Sequence, residues 1–272
     1  MPLLVRSWNV FHGNAVPPEG HAYLREMVEL VVSDGPALVC LQEVPVWALE
    51  RLEEWSGMTA VGAVAQPPKL GPIPIGADLG RRLTDLNAGL LRSAFTGQGN
   101  AVLVGPELRV LETHELQLNA PRFRDAQARW LRLPLIARLA WAKERRVVHA
   151  VRVGLPDGGT MLVANLHATA YRPDGRLADA ELFRAAVWLD ALAGPDEPTL
   201  LAGDFNVFRR SSSTLRDLFS EEWGFAGGGG PSVDYVLARR IAIAGVRAWT
   251  PERRVRDGRT LSDHTPIEAQ VG

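Results

Sequence analysis

Short apolar runs recur along the chain, separated by turn-forming and charged residues. LLVRSWNV (3–10), ALVCLQEV (37–44), NAVLVG (100–105) and VVHAVRV (147–153) read as strands, as do TMLVANLHA (160–168), PTLLAGDF (198–205), SVDYVLA (232–238) and IAIAGVRAW (241–249). Helical spacing replaces this pattern in two long segments. Residues 21–33 carry Tyr23, Leu24, Met27, Val28, Leu30 and Val31, and residues 176–193 carry Leu177, Leu182, Ala185, Val187, Leu189 and Leu192 among charged positions. Val46–Trp55 is a shorter helix candidate. Strands outnumber helices, and VVHAVRVGLPDGGTMLVANLHA contains a hairpin with a PDGG turn. The pattern favours an α/β protein of the α+β kind, with two mostly antiparallel sheets packed together and helices outside, over regular βα alternation. No Ser/Gly linker interrupts it, so one domain over 1–272 is expected.

Two stretches break the rhythm. Residues 66–99 open with the Pro-rich QPPKLGPIPIG and continue as DLGRRLTDLNAGLLRSAF, which would put Leu79, Leu83, Leu86 and Leu90 on one helical face. A surface insertion whose helix packs on the core is the simpler expectation; a cap over a substrate is the functional one. The connection 119–143 sets Arg122, Arg124, Arg129 and Arg132 beside Trp130 and Trp141. Arg and aromatic residues together can bind phosphate and stack bases, and they also cover ordinary surface.

Composition narrows the setting. Of 272 residues 46% are hydrophobic, and 30 basic against 31 acidic side chains leave a net charge of -1. No global basic field is available to hold nucleic acid, although a local groove remains compatible with the balance. Nearly every basic residue is Arg, the lysines being Lys69 and Lys143. The single cysteine, Cys40, excludes an intrachain disulfide and reads as a small core residue. No run approaches the roughly 18–20 apolar residues that cross a bilayer. The first residues lack a long apolar segment with a cleavage site, so a cytoplasmic protein without membrane insertion is expected.

Polar groups end several of the apolar runs. Asn9 lies in SWNVFHG, Glu43 in CLQEVP, His167 in ANLHATA, Asp204 and Asn206 in AGDFNV, Asp234 in SVDYVLA, and Asp263 with His264 in LSDHTPIEAQV. Asp204 and Asn206 would share one side of a continuing strand, where an ionised carboxylate must be paired, hydrogen-bonded or metal-bound. Singly, each residue has an ordinary explanation as a turn former, surface carboxylate, cap or satisfied core histidine. Together they have a common chemistry. A hard cation such as Mg2+ takes carboxylate and amide oxygens of the kind Glu43, Asp263 and Asn9 supply, and keeps waters for a phosphate. Phosphodiester hydrolysis needs a positioned water and charge stabilisation. Asp234 and His264 are candidates for a carboxylate-held imidazole. No Cys/His spacing suggests zinc and no G-x-S-x-G precedes the histidines. The GGGG at 227–230 lacks a following Gly-Lys-Ser/Thr and reads as a flexible loop.

The ordered series WNVFHG, LQEV, NLHA, GDFN, VDYVL and SDHTPI resembles the endonuclease/exonuclease/phosphatase superfamily, over residues 9–267. That resemblance implies a four-layer α/β sandwich, two sheets face to face with helices on both outer faces, and a site where the strand ends converge. It implies Glu43 as the main metal ligand with Asn9 and Asp263 nearby, Mg2+ as the metal and Mn2+ as a substitute. Asp204 would orient or deprotonate the attacking water and Asn206 would bond Asp204 or a phosphate oxygen. His264, oriented by Asp234, would contact the phosphate or act as general base. His167 matches the NLH branch that includes deoxyribonucleases and sphingomyelinases, with a role in stabilising the transition state or protonating the leaving oxygen. Arg145 or Arg146 would match an Arg that many members carry on the preceding strand. The second glutamate that partners this histidine in pancreatic-type deoxyribonucleases has no counterpart here.

The leading expectation is therefore a Mg-dependent phosphoesterase acting on phosphodiesters, with DNA or RNA as the first substrates to test. A phosphatase or phosphodiesterase for a small molecule or lipid headgroup is the alternative, and a non-catalytic phosphate-binding protein a third class. No obligate protein partner is implied.

Overall fold

A computed structural model describes residues 2–18, 20–70, 73–86, 95–230 and 232–272. Two six-stranded sheets dominate it. The first is built from β1 (Leu3–Asn9), β3 (Leu38–Val44), β4 (Thr59–Gln66), β7 (Gln98–Val104), β14 (Ile243–Ala248) and β17 (Ile267–Val271), in the order β14-β17-β1-β3-β7-β4. The second is built from β8 (Arg109–Gln117), β9 (Val147–Gly154), β10 (Thr160–His167), β11 (Thr199–Asp204), β12 (Phe225–Gly229) and β13 (Asp234–Arg239), in the order β12-β13-β11-β10-β9-β8. Each sheet is antiparallel except for one central pair, β1 with β3 and β10 with β11. Short strands β2 (Ala15–Val16), β15 (Val255–Arg256) and β16 (Arg259–Leu261) form a small third sheet, and β5 (Lys69–Leu70) pairs with β6 (Ile73–Pro74).

The central strands are apolar on both faces because both faces are covered. Along β3, Leu38 and Cys40 enter the core between the sheets, while Val39 and Leu41 point to the helix side with Met27, Val28 and Val31 of helix Leu24–Val32. Along β10, Val163 faces the inter-sheet core, and Leu162, Ala164 and Leu166 meet Leu182, Ala185 and Leu189 of helix Arg176–Leu192. The layers run helix, sheet, sheet, helix, as expected. Cys40 is buried, which pushes its thiol up to about 12. No described helix is long and apolar enough to cross a membrane.

Several expectations change. Val46–Trp55 is a 3-10 turn, Val46–Arg51, leading into the short helix Leu52–Ser56. The Gly-rich stretch is no free loop: Phe225–Gly229 is an edge strand on β13. A Cβ on Gly227 would lie 2.4 Å from the Val236 carbonyl oxygen, so the glycines permit close pairing. The connection 119–143 is a pair of helices, Pro121–Trp130 and Leu135–Lys143. In 66–99, helix Ala77–Leu86 forms, but Leu79 remains 49% exposed and contributes little to a packed face. Leu90 and the Leu86 side chain lie outside the described residues.

Arg6 of β1 and Glu268 of β17 are buried together in the first sheet. Arg6 donates from Nε to Glu268 at 3.0 Å, from Nη1 to the Val31 carbonyl at 2.7 Å, and from both terminal nitrogens to Asp34 (Nη2–Oδ2 2.7 Å). Its guanidinium lies 4.9 Å from the Trp249 ring centre. The arrangement ties β1 to helix Leu24–Val32 and to β17.

Two outcomes follow for stability. The Asp34 carboxyl is lowered to about 2, first by its hydrogen bond to Arg6. Its folded value lies below the unfolded one of about 3.9, so its stabilisation is present above pH ~4 and lost as pH falls toward 2. Urea midpoints should therefore separate wild type from Asp34→Asn at pH 7 and converge as pH drops through that window. Gly203 in β11 has φ 137°, and a Cβ there would lie 1.9 Å from the Leu166 carbonyl oxygen. Gly203→Ala should cost about 3 kcal/mol or prevent folding, read from the same urea transitions.

Candidate active site

The two parallel pairs bring the C-terminal ends of β1, β3, β10 and β11 to one end of the sandwich, carrying Asn9, Glu43, His167 and Asp204. β13 runs antiparallel to β11, and its first residue, Asp234, is in register with Asp204. Asp263 and His264 arrive on the loop before β17.

Glu43 is aimed by a bulge. Leu41 pairs with Ala101 and Val44 with Gly99, so Gln42 and Glu43 together oppose Asn100, and Glu43 takes φ 56°. Such a bulge turns a side chain off the sheet plane. The Glu43 carboxylate stands 3.1 Å from His12 Nε2 and 3.6 Å from His167 Nε2. Burial pushes its pKa up, but His12, His167 and Arg146 outweigh that and leave the carboxyl well below the usual range.

Asp204 is buried at the centre. Its Oδ2 accepts from Asn9 Nδ2 at 3.1 Å, its Oδ1 accepts from the Asn206 backbone at 3.0 Å, and His167 Nε2 and His264 Nε2 each lie 3.7 Å from Oδ2. Burial, then Asp234, raises the Asp204 carboxyl to about 7, against His264 and Asn9. Asn206 does not continue the strand. It turns at φ 50° and donates its amide to the Ala168 carbonyl at 3.0 Å, so strand alternation gave the wrong relation between the two residues.

His264 Nδ1 meets both Asp234 oxygens at 3.1 and 3.0 Å, and Ser232 donates to Asp234 at 2.6 Å. Burial disfavours the imidazolium, but the Asp234 hydrogen bond and charge override it and raise His264 to about 10. The loop holding it is pinned by Ser262, which donates to the Asn9 carbonyl at 2.7 Å and accepts from the His264 backbone at 3.0 Å. Trp8 Nε1 and Arg254 Nη1 donate to the His264 carbonyl at 3.1 and 3.3 Å.

The two arginine candidates part company. Arg146 is buried, and its Nη1 lies 3.0 and 2.9 Å from the two His167 ring nitrogens while Nη2 donates to Glu144 at 2.6 Å. Arg145 is exposed and touches the neighbourhood through its backbone, which donates to Gln66. Burial, then the Arg146 charge, holds His167 well below the ordinary imidazole range, so its ring is neutral. A neutral ring has one N–H and one acceptor nitrogen; Arg146 Nη1 reaches both nitrogens, and Nε2 is the one that faces Glu43 and Asp204.

The oxygen-rich end suits a hard cation. Burial is the largest cause that raises Asp204 and Asp263, and the Glu43 charge adds to both, a repulsion that a divalent ion would relieve. Glu43, Asp263 and the Asn9 side-chain oxygen are the hard donors on hand, although that oxygen already accepts from the Phe11 backbone at 3.0 Å. Asp204, Asp234 and His264 also present ligand atoms within 4.8 Å of one another. Since Asp234 is engaged by His264 and Ser232, this trio reads better as a charge row, with His264 bonded to Asp234 and standing 3.7 Å from Asp204.

Sequence reasoning missed His12, Ser232, Ser262 and Glu181. His12 lay inside the quoted WNVFHG, but its approach to Glu43 depends on the 3-10 turn Phe11–Gly13, where it takes φ 53°. Glu181 is wholly buried in helix Arg176–Leu192 and accepts from Trp141 Nε1 at 2.6 Å and from Thr169 at 2.6 and 2.8 Å. A lone acidic residue on an apolar helix face, between Leu177 and Ala185, was its available signal.

The model of the Endonuclease/Exonuclease/phosphatase family matches residues 7–264. No curated protein matches the sequence. Solved structures share the fold at low identity. An endonuclease/exonuclease/phosphatase from Bacteroides vulgatus is 12% identical with a TM-score of 0.69, covering 100% of this chain and 99% of its own. The human Nocturnin catalytic domain with bound sulfate is 16% identical with a TM-score of 0.66, over 100% and 93%. A mannosyl-6-phosphatase from Bacteroides thetaiotaomicron is 16% identical with a TM-score of 0.62, over 99% and 99%.

Asp234→Asn should lower the His264 titration midpoint from about 10 toward the free imidazole value of about 6.5, measured by NMR of the ring protons. An unchanged midpoint would mean that Asp234 does not set the charge of His264.

Proposed function

The chain belongs to the Endonuclease/Exonuclease/phosphatase family, and on that premise we propose that it is a metal-dependent phosphoesterase that hydrolyses phosphodiester bonds by in-line attack of water. The observation that carries this reading is the row Glu43, His167, Asp204, His264 and Asp234, in which each neighbouring pair lies within 3.0–3.7 Å. Five ionisable groups from both sheets in one such row are costly to assemble unless they serve chemistry.

Asp204 is the group that takes the proton of the attacking water. It is buried, raised toward neutrality, and oriented by Asn9 and the Asn206 backbone. His264 is held as a cation by Asp234 and therefore cannot also be the base; it faces the phosphate as a positive hydrogen-bond donor. His167, neutral and braced by Arg146, would offer the one N–H of its ring to the departing oxygen. As the P–O bond of an alkyl diester breaks, the departing alkoxide takes that proton and leaves as an alcohol. Glu43, with Asp263 and Asn9, would hold Mg2+, or Mn2+ in its place, which when bound would supply further stabilisation of charge on the phosphate oxygens. Arg145, exposed, is the weaker candidate for substrate contact.

The test compares bis-p-nitrophenyl phosphate with p-nitrophenyl phosphate under Mg2+, Mn2+ and EDTA. Metal-dependent cleavage of the diester is expected. Asp204→Ala, Glu43→Ala and His264→Ala should each lower kcat by roughly 100- to 10,000-fold with the circular dichroism spectrum retained. A fully active His264→Ala enzyme would overturn the assignment, and cleavage of the monoester alone would make the protein a phosphatase. A panel of DNA, RNA and lipid-headgroup diesters then ranks the substrate classes.

A further inference from the structure

Beside the polar centre stands a helical hairpin with its apolar side outward. In helix Leu135–Lys143, Leu135, Ile136 and Leu139 occupy one face and are 68%, 69% and 62% exposed. Trp130, at the end of helix Pro121–Trp130, is 77% exposed. The opposite face supplies the packing: Ala128, Leu133, Ala137 and Trp141 form a small core with Leu177. The hairpin thus satisfies its own core and still presents four large apolar side chains to solvent. Patches of this kind mark interaction sites.

Its charge is equally uneven. Residues 121–143 hold six basic side chains and one acidic, while the whole chain is net -1. Arg122, Arg129, Arg132, Arg138 and Lys143 have no ion pair among the described residues. Exposed aliphatic side chains on one helix face, an exposed Trp at the end of the neighbouring helix and cations without an ion pair on both are the composition of helices that lie in a membrane interface.

We propose that this hairpin docks the protein on the surface of an anionic lipid bilayer, and so presents the polar centre to phosphate esters at that surface. Docking stands on the hairpin alone; the delivery of substrate rests on the phosphoesterase reading. Charge complementarity selects this occupant, since the basic rim is attracted by anionic headgroups while the apolar face enters the acyl boundary. Nucleic acid would use the arginines and Trp130 but has no use for Leu135, Ile136 and Leu139. A stable protein interface draws on about 20–30 residues a side, far more than this face provides.

The hairpin is also joined rigidly to the catalytic end. Trp141 Nε1 donates to Glu181, which in turn accepts from Thr169, two residues beyond His167. Asn119 donates to the Trp141 and Glu144 carbonyls at 3.0 and 2.6 Å, and Glu144 pairs with Arg146 against His167. A surface contacted by Leu135 and Ile136 is therefore fixed relative to the site.

The experiment is flotation of the full chain with vesicles of phosphatidylcholine alone and with about one third phosphatidylglycerol, at low and high salt. Wild type should partition at least about tenfold more strongly onto the anionic vesicles, and added salt should weaken it. The triple variant Leu135→Ser, Ile136→Ser and Leu139→Ser should lose about tenfold or more of that affinity while keeping the wild-type Tm and its turnover of bis-p-nitrophenyl phosphate. Absent binding by wild type, or equal binding by the triple variant, would overturn the proposal. So would self-association, or single-stranded DNA binding, that the variant loses while vesicles are ignored by both proteins. Vesicle binding requires no turnover, so an inactive enzyme in the diester assay would leave docking intact, and the reverse.

Discussion

One buried amide pair governs how the two sheets meet. Asn165 in β10 accepts from Gln42 Nε2 at 2.7 Å and donates to the Leu41 and Ala101 carbonyls at 2.8 and 2.9 Å, reaching from one sheet across to the other. Apolar side chains alone would tolerate a slide between the sheets, since their attraction has no direction. The amides do not, because a slip would leave buried donors unpaired at about 1–3 kcal/mol each. Gln42 immediately precedes Glu43, and Asn165 lies two residues before His167. The lock on the sheet register is therefore also the lock on the distance between a carboxylate and an imidazole at the strand ends.

Beyond that lock the backbone departs from ordinary strand geometry. Phe11, His12, Glu43, Asn206 and Ser262 all take positive φ, between 47° and 61°, and all lie around the polar centre. Each such residue costs on the order of 1–3 kcal/mol, and the double-faced packing of β1, β3, β10 and β11 offsets it. Like charges add to the strain. Asp204 and Asp263 are both raised, burial first, with neighbouring carboxylates adding to it. The region is stabilised from below by the core and from the side by Arg254, Trp8 and Ser262, which hold the His264 loop. It is a site whose stability comes from its surroundings.

Chemistry and surface meet at His167. Arg146, itself paired with Glu144, lies against the ring; two residues beyond it, Thr169 donates to Glu181, and Trp141 in the hairpin donates to the same carboxylate. The buried Glu181 carboxylate is thereby explained as the joint between the strand end that carries His167 and an exposed apolar face. Burial raises Glu181, and three hydrogen bonds to it oppose that rise without cancelling it.

Much of this was legible in the amino-acid order. Apolar runs located the central strands, since a strand covered on both faces must be apolar throughout, and the polar groups ending those runs named Asn9, Glu43, His167, Asp204, Asp234 and His264. The Gly-rich stretch misled because glycine permits close strand pairing as readily as a loop, and the choice lay with β13. Asn206 misled because alternation holds only while the strand continues. Arg145 and Arg146 are chemically equivalent in the sequence; which one is buried against His167 depends on where β9 begins. His12 and Glu181 acquired meaning only from partners 31 and 40 positions away, Glu43 and Trp141. The sequence by itself determined which residues are apolar, which are ionisable and in what order they come. Tertiary structure alone decided which of them lie within 4 Å of one another, because hydrogen bonds and charge act across space and the chain order carries no such distances.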